Sequence, residues 1–175
     1  MTQAEVRAFP AVELLWRRAD RVEARVRSYD ADGIDLADEL AQTRGIGELD
    51  VRIGRVRATA GVTLDDVRLR KRDGVLSGRA VLDGDELSRA LPPRVELALV
   101  PRRDGAIMLA GRIGGAEVQL RVVARDGRVI ARPEGLLGVF AGYPVFSDPR
   151  IDVEQVAAVP LPGGRFALSA RARLT

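Results

Sequence analysis

The chain has 175 residues, 46% of them hydrophobic but only 4% aromatic, and carries 28 basic against 25 acidic residues for a net charge of +3. That length suits one domain spanning residues 1–175, with a core built from Val, Leu, Ala and Ile rather than from stacked rings. Neither His nor Cys occurs, which excludes disulfides, His/Cys zinc sites, Cys nucleophiles and the usual general base. Nearly every base is Arg, and acids are interleaved with the bases along most of the chain. That pattern describes solvated sheet faces rather than a nucleic-acid footprint, and no interleaved aromatics offer base stacking, so no nucleic-acid partner is expected. No apolar run after Met1 is long enough for a signal peptide or a membrane span, which points to the cytoplasm if Met1 is the native start.

In chain order, Val6–Pro10 is an extended entry, and Ala11–Arg18 follows as an amphipathic helix. Val12, Leu15 and Trp16 lie at helical spacing, and Pro10 suits a first turn. Arg21–Ser28 alternates Val22, Ala24 and Val26 against Arg21, Glu23, Arg25 and Arg27, the pattern of a strand with one wet face. Tyr29–Gly33 reads as a turn, and Ile34–Leu40 fits a helical turn or a strand. Leu49–Ala60 is a strand whose apolar phase slips near Gly54, which predicts a β-bulge there. Val62–Arg70 slips again at Asp65-Asp66.

Val75–Val100 reads as strand, short helix, strand. Leu87, Ala90 and Leu91 share a helical face, Asp83 or Asp85 can cap the helix, and Pro92-Pro93 stops it. This helix, Asp85–Leu91, is expected to cover one end of a sheet's apolar side. Three Asp-Gly pairs, at Asp73-Gly74, Asp104-Gly105 and Asp126-Gly127, predict tight primed turns. They would join 62–70 with 75–82, 94–101 with 106–113, and 116–125 with 128–132. Gly111–Gly115 reads as turn glycine, Pro133–Tyr143 as an apolar loop or loose helix, and Pro144–Pro149 as a turn. Ile151–Val159 and Arg165–Leu174 form a last hairpin. The sum is a mainly β (α+β) chain of roughly eight or nine antiparallel strands in one long curled sheet, wrapped around two or three short helices.

No G-x-S-x-G, Walker loop, H-E-x-x-H or dinucleotide fingerprint is present. Asp65 and Asp66 are adjacent strand residues that point to opposite faces, a poor arrangement for a shared substrate. The chain is expected to be no enzyme and to need no cofactor or metal.

Several stretches together resemble the LmeA-like phospholipid-binding family of actinobacterial cell-envelope proteins. They are V-R-A-F-P at Val6–Pro10 with the helix after it, A-T-A-G-V-T-L-D-D-V-R-L at Ala58–Leu69 and L-D-G-D-E-L-S-R-A-L at Leu82–Leu91. D-P-R-I-D-V-E-Q-V at Asp148–Val156 and the terminal G-G-R-F-A-L-S-A-R-A-R-L complete the set. The resemblance implies a fold similar to tubular lipid-binding domains, a phospholipid or other acyl-chain lipid as ligand, contact with a membrane surface, and a place in the cell envelope. It supplies no catalytic or head-group residues. From residue chemistry, the candidate liners of an aliphatic groove are Phe9, Leu14, Leu15, Trp16, Leu87, Leu91, Leu136, Leu137 and Phe140. Arg17, Arg18 and Arg89, near helix ends, are candidate phosphate donors. The alternative is an interaction protein with a closed, fully packed core.

Overall fold

The computed structural model describes residues 20–31, 38, 40, 42–57, 62–91, 94–134 and 142–175. Its strands are β1 (Arg21–Asp30), β2 (Glu48–Arg57), β3 (Thr63–Arg72), β4 (Val75–Asp83), β5 (Val95–Val100) and β6 (Ile107–Ile113). They continue with β7 (Ala116–Arg125), β8 (Arg128–Pro133), β9 (Tyr143–Phe146), β10 (Ile151–Pro160) and β11 (Arg165–Leu174). One helix, α1 (Gly84–Ala90), lies between β4 and β5. The chain is mainly β, but the strands form two sheets where one long sheet was expected. Six strands run in the order β1-β2-β3-β4-β11-β10, and five in the order β5-β6-β7-β8-β9. Among the described residues α1 is the only complete helix. The helix expected over Ala11–Arg18 and the loop over Pro133–Tyr143 lie mostly outside them.

Local signals account for the hairpins. Asp73 and Asp126 sit at φ 51°, each followed by a glycine at φ 74°, as a tight primed turn requires. The third pair differs. Only Gly105 of Asp104-Gly105 has positive φ, and the Asp104 carboxylate accepts from the Ala106 N–H at 3.2 Å in a longer loop. Helix α1 begins at Asp83, whose side chain accepts from the Asp85 N–H at 2.9 Å. It touches both β4 and β5, so it carries the chain from one sheet to the other. Its Leu87 packs against the inter-sheet cluster of Leu82, Leu99 and Phe166. β9 occupies a stretch whose two prolines read as a turn, and Gly111 lies inside β6 rather than in a turn.

Two expectations about the six-stranded sheet are corrected. First, β1 pairs with β2 in parallel. A parallel pair needs a crossover, which residues 31–47 supply. Second, Gly54 is not a register shift: β2 and β3 stay aligned through it, with Ile53 opposite Val67 and Arg55 opposite Asp65. The slip is shared. Arg27-Ser28, Gly54-Arg55 and Asp65-Asp66 each break the in-out alternation beside one another on β1, β2 and β3. Only at β4 does one extra residue appear, between Asp65 and Arg68, with Asp66 at φ 50°. A side chain at Gly54 would put Cβ 2.8 Å from the Arg27 carbonyl oxygen, so this glycine allows the parallel strand its approach.

The five-stranded sheet meets the other through its turns as well as its side chains. The N–H groups of Ala158 and Val153 on β10 donate to the carbonyls of Gly105 and Gly127, both at 3.0 Å. The outer edge of β10 is thereby closed by turn backbone.

The crossover is held by the only lysine in the chain. Lys71 shares the inward phase of Val67 and Leu69 and is 5% exposed. Its ammonium donates to the carbonyls of Thr43, Ile46 and Arg44 at 2.7, 2.8 and 3.0 Å. Thr43–Gly45 is a 3-10 turn that follows helical backbone at Gln42. Three donors thus meet three carbonyls at a helical C-terminus. A second tether is the Arg150 guanidinium, which donates to Asp148 at 2.9 Å and also to Asp38 of the crossover. The Arg150 side chain, helped by the Arg150 backbone N–H at 2.8 Å, holds the Asp148 pKa down to about 2.

Burial lowers the pKa of Lys71 from the ordinary lysine value of 10.5, while its three acceptors favour the charged form. Lys71→Met should lose roughly 3 kcal/mol in urea unfolding, because two buried carbonyls and one partly buried carbonyl lose their donor. Lys71→Arg should not restore the loss, since a planar fork cannot aim three donors at one point. Just below pH 10.5 the unfolded chain binds more protons than the folded one, so this group's contribution rises with pH there. The difference between the native and Lys71→Met stability curves should carry that slope.

Candidate functional site

The inner face of the six-stranded sheet carries three apolar clusters rather than one. Ile46, Leu49, Val51, Ile53, Val56 and Val67 form the first, over β2 and β3. Ile151, Val153 and Ala172 form the second, and Leu82, Leu99 and Phe166 the third, between the sheets. At the centre of the face lies a floor whose middle residues, Gly78 and Ala170, belong to none of them. Register places Leu69, Gly78, Ala170 and Val156 side by side on β3, β4, β11 and β10. Ala80 and Leu168 form the next row.

This floor is open. Ala170 is exposed although Ala172, two residues along the same strand and face, is buried. Among the described residues, a Cβ placed on Gly78 would meet only Leu69 Cδ2 within contact range, at 3.3 Å. Leu69, Ala80, Leu168 and Val156 are half-buried. Each leans on a surrounding cluster: Leu69 and Ala80 on the first, Val156 on the second, Leu168 on the third. The result is a slot with a small-residue floor and aliphatic rims, about 14 Å wide across four strands. The charge at the next inward position of β3, Lys71, is turned onto three carbonyls. Such a slot offers dispersion contact and exclusion of water, with no group to do chemistry.

Of the residues singled out from sequence, Leu87, Leu91 and Arg89 are described. Leu87 belongs to the inter-sheet cluster, not to the slot. Leu91 is the half-buried cap at the end of α1, and Arg89 is exposed, its Nε donating to the Asp85 carbonyl at 3.2 Å. Phe9, Leu14, Leu15, Trp16, Leu136, Leu137 and Phe140, with Arg17 and Arg18, lie outside the described residues. The floor residues were missed because small side chains draw no attention in a linear pattern. Their signal was an inward phase shared by Gly78 with Leu76 and by Ala170 with Ala172.

An open polar hollow of about 380 Å³ lies apart, lined by Arg94, Glu96, Arg112, Gly114 and Gly115. Among the described residues no cluster of acids could hold a metal ion, and no helix is long and apolar enough to cross a membrane. The chain matches no family model, no curated protein and no solved structure.

If the floor is open, bulk added there has somewhere to go. Ala170→Phe should change stability by no more than about 0.5–1 kcal/mol, whereas Ala172→Phe should lose about 1–3 kcal/mol by overpacking. Parallel thermal or urea unfolding of the two variants checks this contrast.

Proposed function

We propose that the protein binds an acyl-chain lipid, with a phospholipid as the expected class, along the slot floored by Gly78 and Ala170, and that it does so without catalysis. The single observation that carries this reading is the open aliphatic floor between three packed clusters. A closed core would have merged them. An acyl chain needs only a dry, shaped, aliphatic surface, and each buried methylene is worth about 0.8 kcal/mol. The low aromatic content suits a mobile chain rather than a flat ring. The resemblance of five stretches to LmeA-like phospholipid-binding proteins gives the same direction, and with it a place in cell-envelope lipid handling and a likeness to tubular lipid-binding domains. On this reading the apolar residues outside the described part, Trp16 and Phe140 among them, are candidates to close over the chain.

The competing reading is an interaction protein whose inner face is fully covered. The two are separated by protein purified without detergent. Native mass spectrometry with lipid extraction should find a phospholipid at defined stoichiometry. A fluorescent fatty-acid probe should bind and be displaced by that lipid. Ala170→Phe should weaken the probe at least about tenfold, the equivalent of roughly two buried methylenes, while folding normally. A clean protein that binds no probe, or a variant that binds as well as the native chain, would reject the slot and favour the packed interaction protein.

A further inference from the structure

The other face of the same sheet carries a row of four arginines. Register places Arg25, Arg52, Arg68 and Arg79 side by side on β1, β2, β3 and β4. Arg25, Arg52 and Arg79 are exposed and Arg68 is half-buried. At a strand spacing of about 4.8 Å the row is about 14 Å long. Like charges directly opposite one another on a sheet destabilise it, so such a row works against folding. Asp50 relieves its centre, accepting from Arg68 at 2.7 Å and from Arg70 at 3.1 Å, with Arg52 at 3.7 Å. Hydrogen bonding from Arg68, opposed by partial burial and helped by Arg70, lowers the Asp50 pKa. The other nearby carboxylates are also engaged: Glu23 with Arg21 and Asp65 with Arg55. Among the described residues Arg25 and Arg79 have no ion pair or side-chain hydrogen bond.

Next to this row the face changes character. Val81, Ala167 and Val159 lie side by side on β4, β11 and β10, and Val159 is 50% exposed. A line of guanidiniums, compensated at its centre by Asp50 and unpaired at its ends, Arg25 and Arg79, therefore meets a short line of aliphatic side chains at β4 on one sheet face. The only aromatic side chains on the six strands, Tyr29 and Phe166, belong to the inward clusters, so the outer face has no platform for stacking bases. Arginine meeting phosphate at headgroup depth, with aliphatic carbon beside it, is the composition of a membrane-interface surface.

We propose that this face docks the protein on an anionic phospholipid bilayer, with Arg25 and Arg79 supplying the free charge and the Val81–Ala167–Val159 row the apolar contact. It does not depend on the slot, which opens on the opposite side of the sheet. The experiment is co-sedimentation of the full chain with phosphatidylcholine vesicles, with and without phosphatidylglycerol. Binding should require phosphatidylglycerol and fall with added salt. Arg25→Ser combined with Arg79→Ser should weaken it about twenty-five-fold, from two basic side chains each worth about a fivefold factor at an anionic surface. The double variant should keep its circular dichroism and lose no thermal stability, since it removes repulsion rather than a bond. Val159→Ser should reduce the part of binding that resists salt. Equal binding to neutral vesicles, or undiminished binding by the double variant, would overturn the proposal. So would retention of a single-stranded oligonucleotide that depends on Arg25 and Arg79 with no vesicle binding, which would give the row to nucleic acid. Ala170→Phe should leave docking intact, so a failed slot and a failed docking face give different results.

Discussion

One ammonium group holds the crossover on which the larger sheet depends. Lys71 takes an inward position among Leu49, Leu76 and Leu69, where an aliphatic side chain would be the usual choice. It instead reaches three carbonyls at the end of the crossover. A buried charge left unpaired would be strongly destabilising, so the crossover has to pass over β3 and nowhere else. That fixed path delivers Ile46, 1% exposed, onto the first apolar cluster. It also brings the chain back beside β1 in the parallel sense. Lysine alone among side chains carries three donors on one compact tip. A chain that uses arginine for every other positive charge keeps its one lysine at the place where a fork would not fit.

The same register that builds the inner face builds the outer one. Leu69 stands between Arg68 and Arg70 on β3. The row that gives the slot its floor therefore lies between rows that give the opposite face its charge. The shared slip at Gly54-Arg55 and Asp65-Asp66 sets where those rows end. Beyond it, on β1 to β3, the outward positions fall in a new phase, and Asp65 comes opposite Val81 on β4. A one-residue change of register in this sheet would exchange floor and charge at once. Slot and arginine row are thus structurally coupled even where their proposed uses are independent.

The sequence was most legible where the determinants are local. Alternation in Arg21–Ser28, the Asp73-Gly74 and Asp126-Gly127 turns and the Asp83 cap each depend on residues within one turn or strand, and each forms as those residues predict, whereas Asp104-Gly105 opens into a longer loop. What could not be read was the partner of β1, because parallel pairing is fixed by a crossover whose anchor, Lys71, lies one strand further on. Lys71 stands among arginines in L-R-K-R, and only its spacing from Val67 and Leu69 puts it on the inward phase. The division into two sheets was equally hidden. A short helix between strands fits a lid on one sheet or a step between two, and contacts of Leu87 with Leu82, Leu99 and Phe166 decide it. The slot needed the register of β3, β4, β11 and β10 together, and no single strand contains it.

Three clusters on one sheet face, instead of one, also bear on how a ligand would be accommodated. The crossover covers the first cluster, the crossover's Leu40 and the five-stranded sheet the second, and the five-stranded sheet with α1 the third. The floor between them is covered by none of these, so filling it requires no cluster to open. A ligand lying there would extend contacts already present on Leu69, Val156 and Leu168 rather than replace them. Its binding would add buried aliphatic area without a matching loss of packing within the chain. Glycine and alanine at the centre keep that space available. They cannot rotate into it, as a leucine would, and so the slot remains a property of the backbone register rather than of any side-chain rotamer.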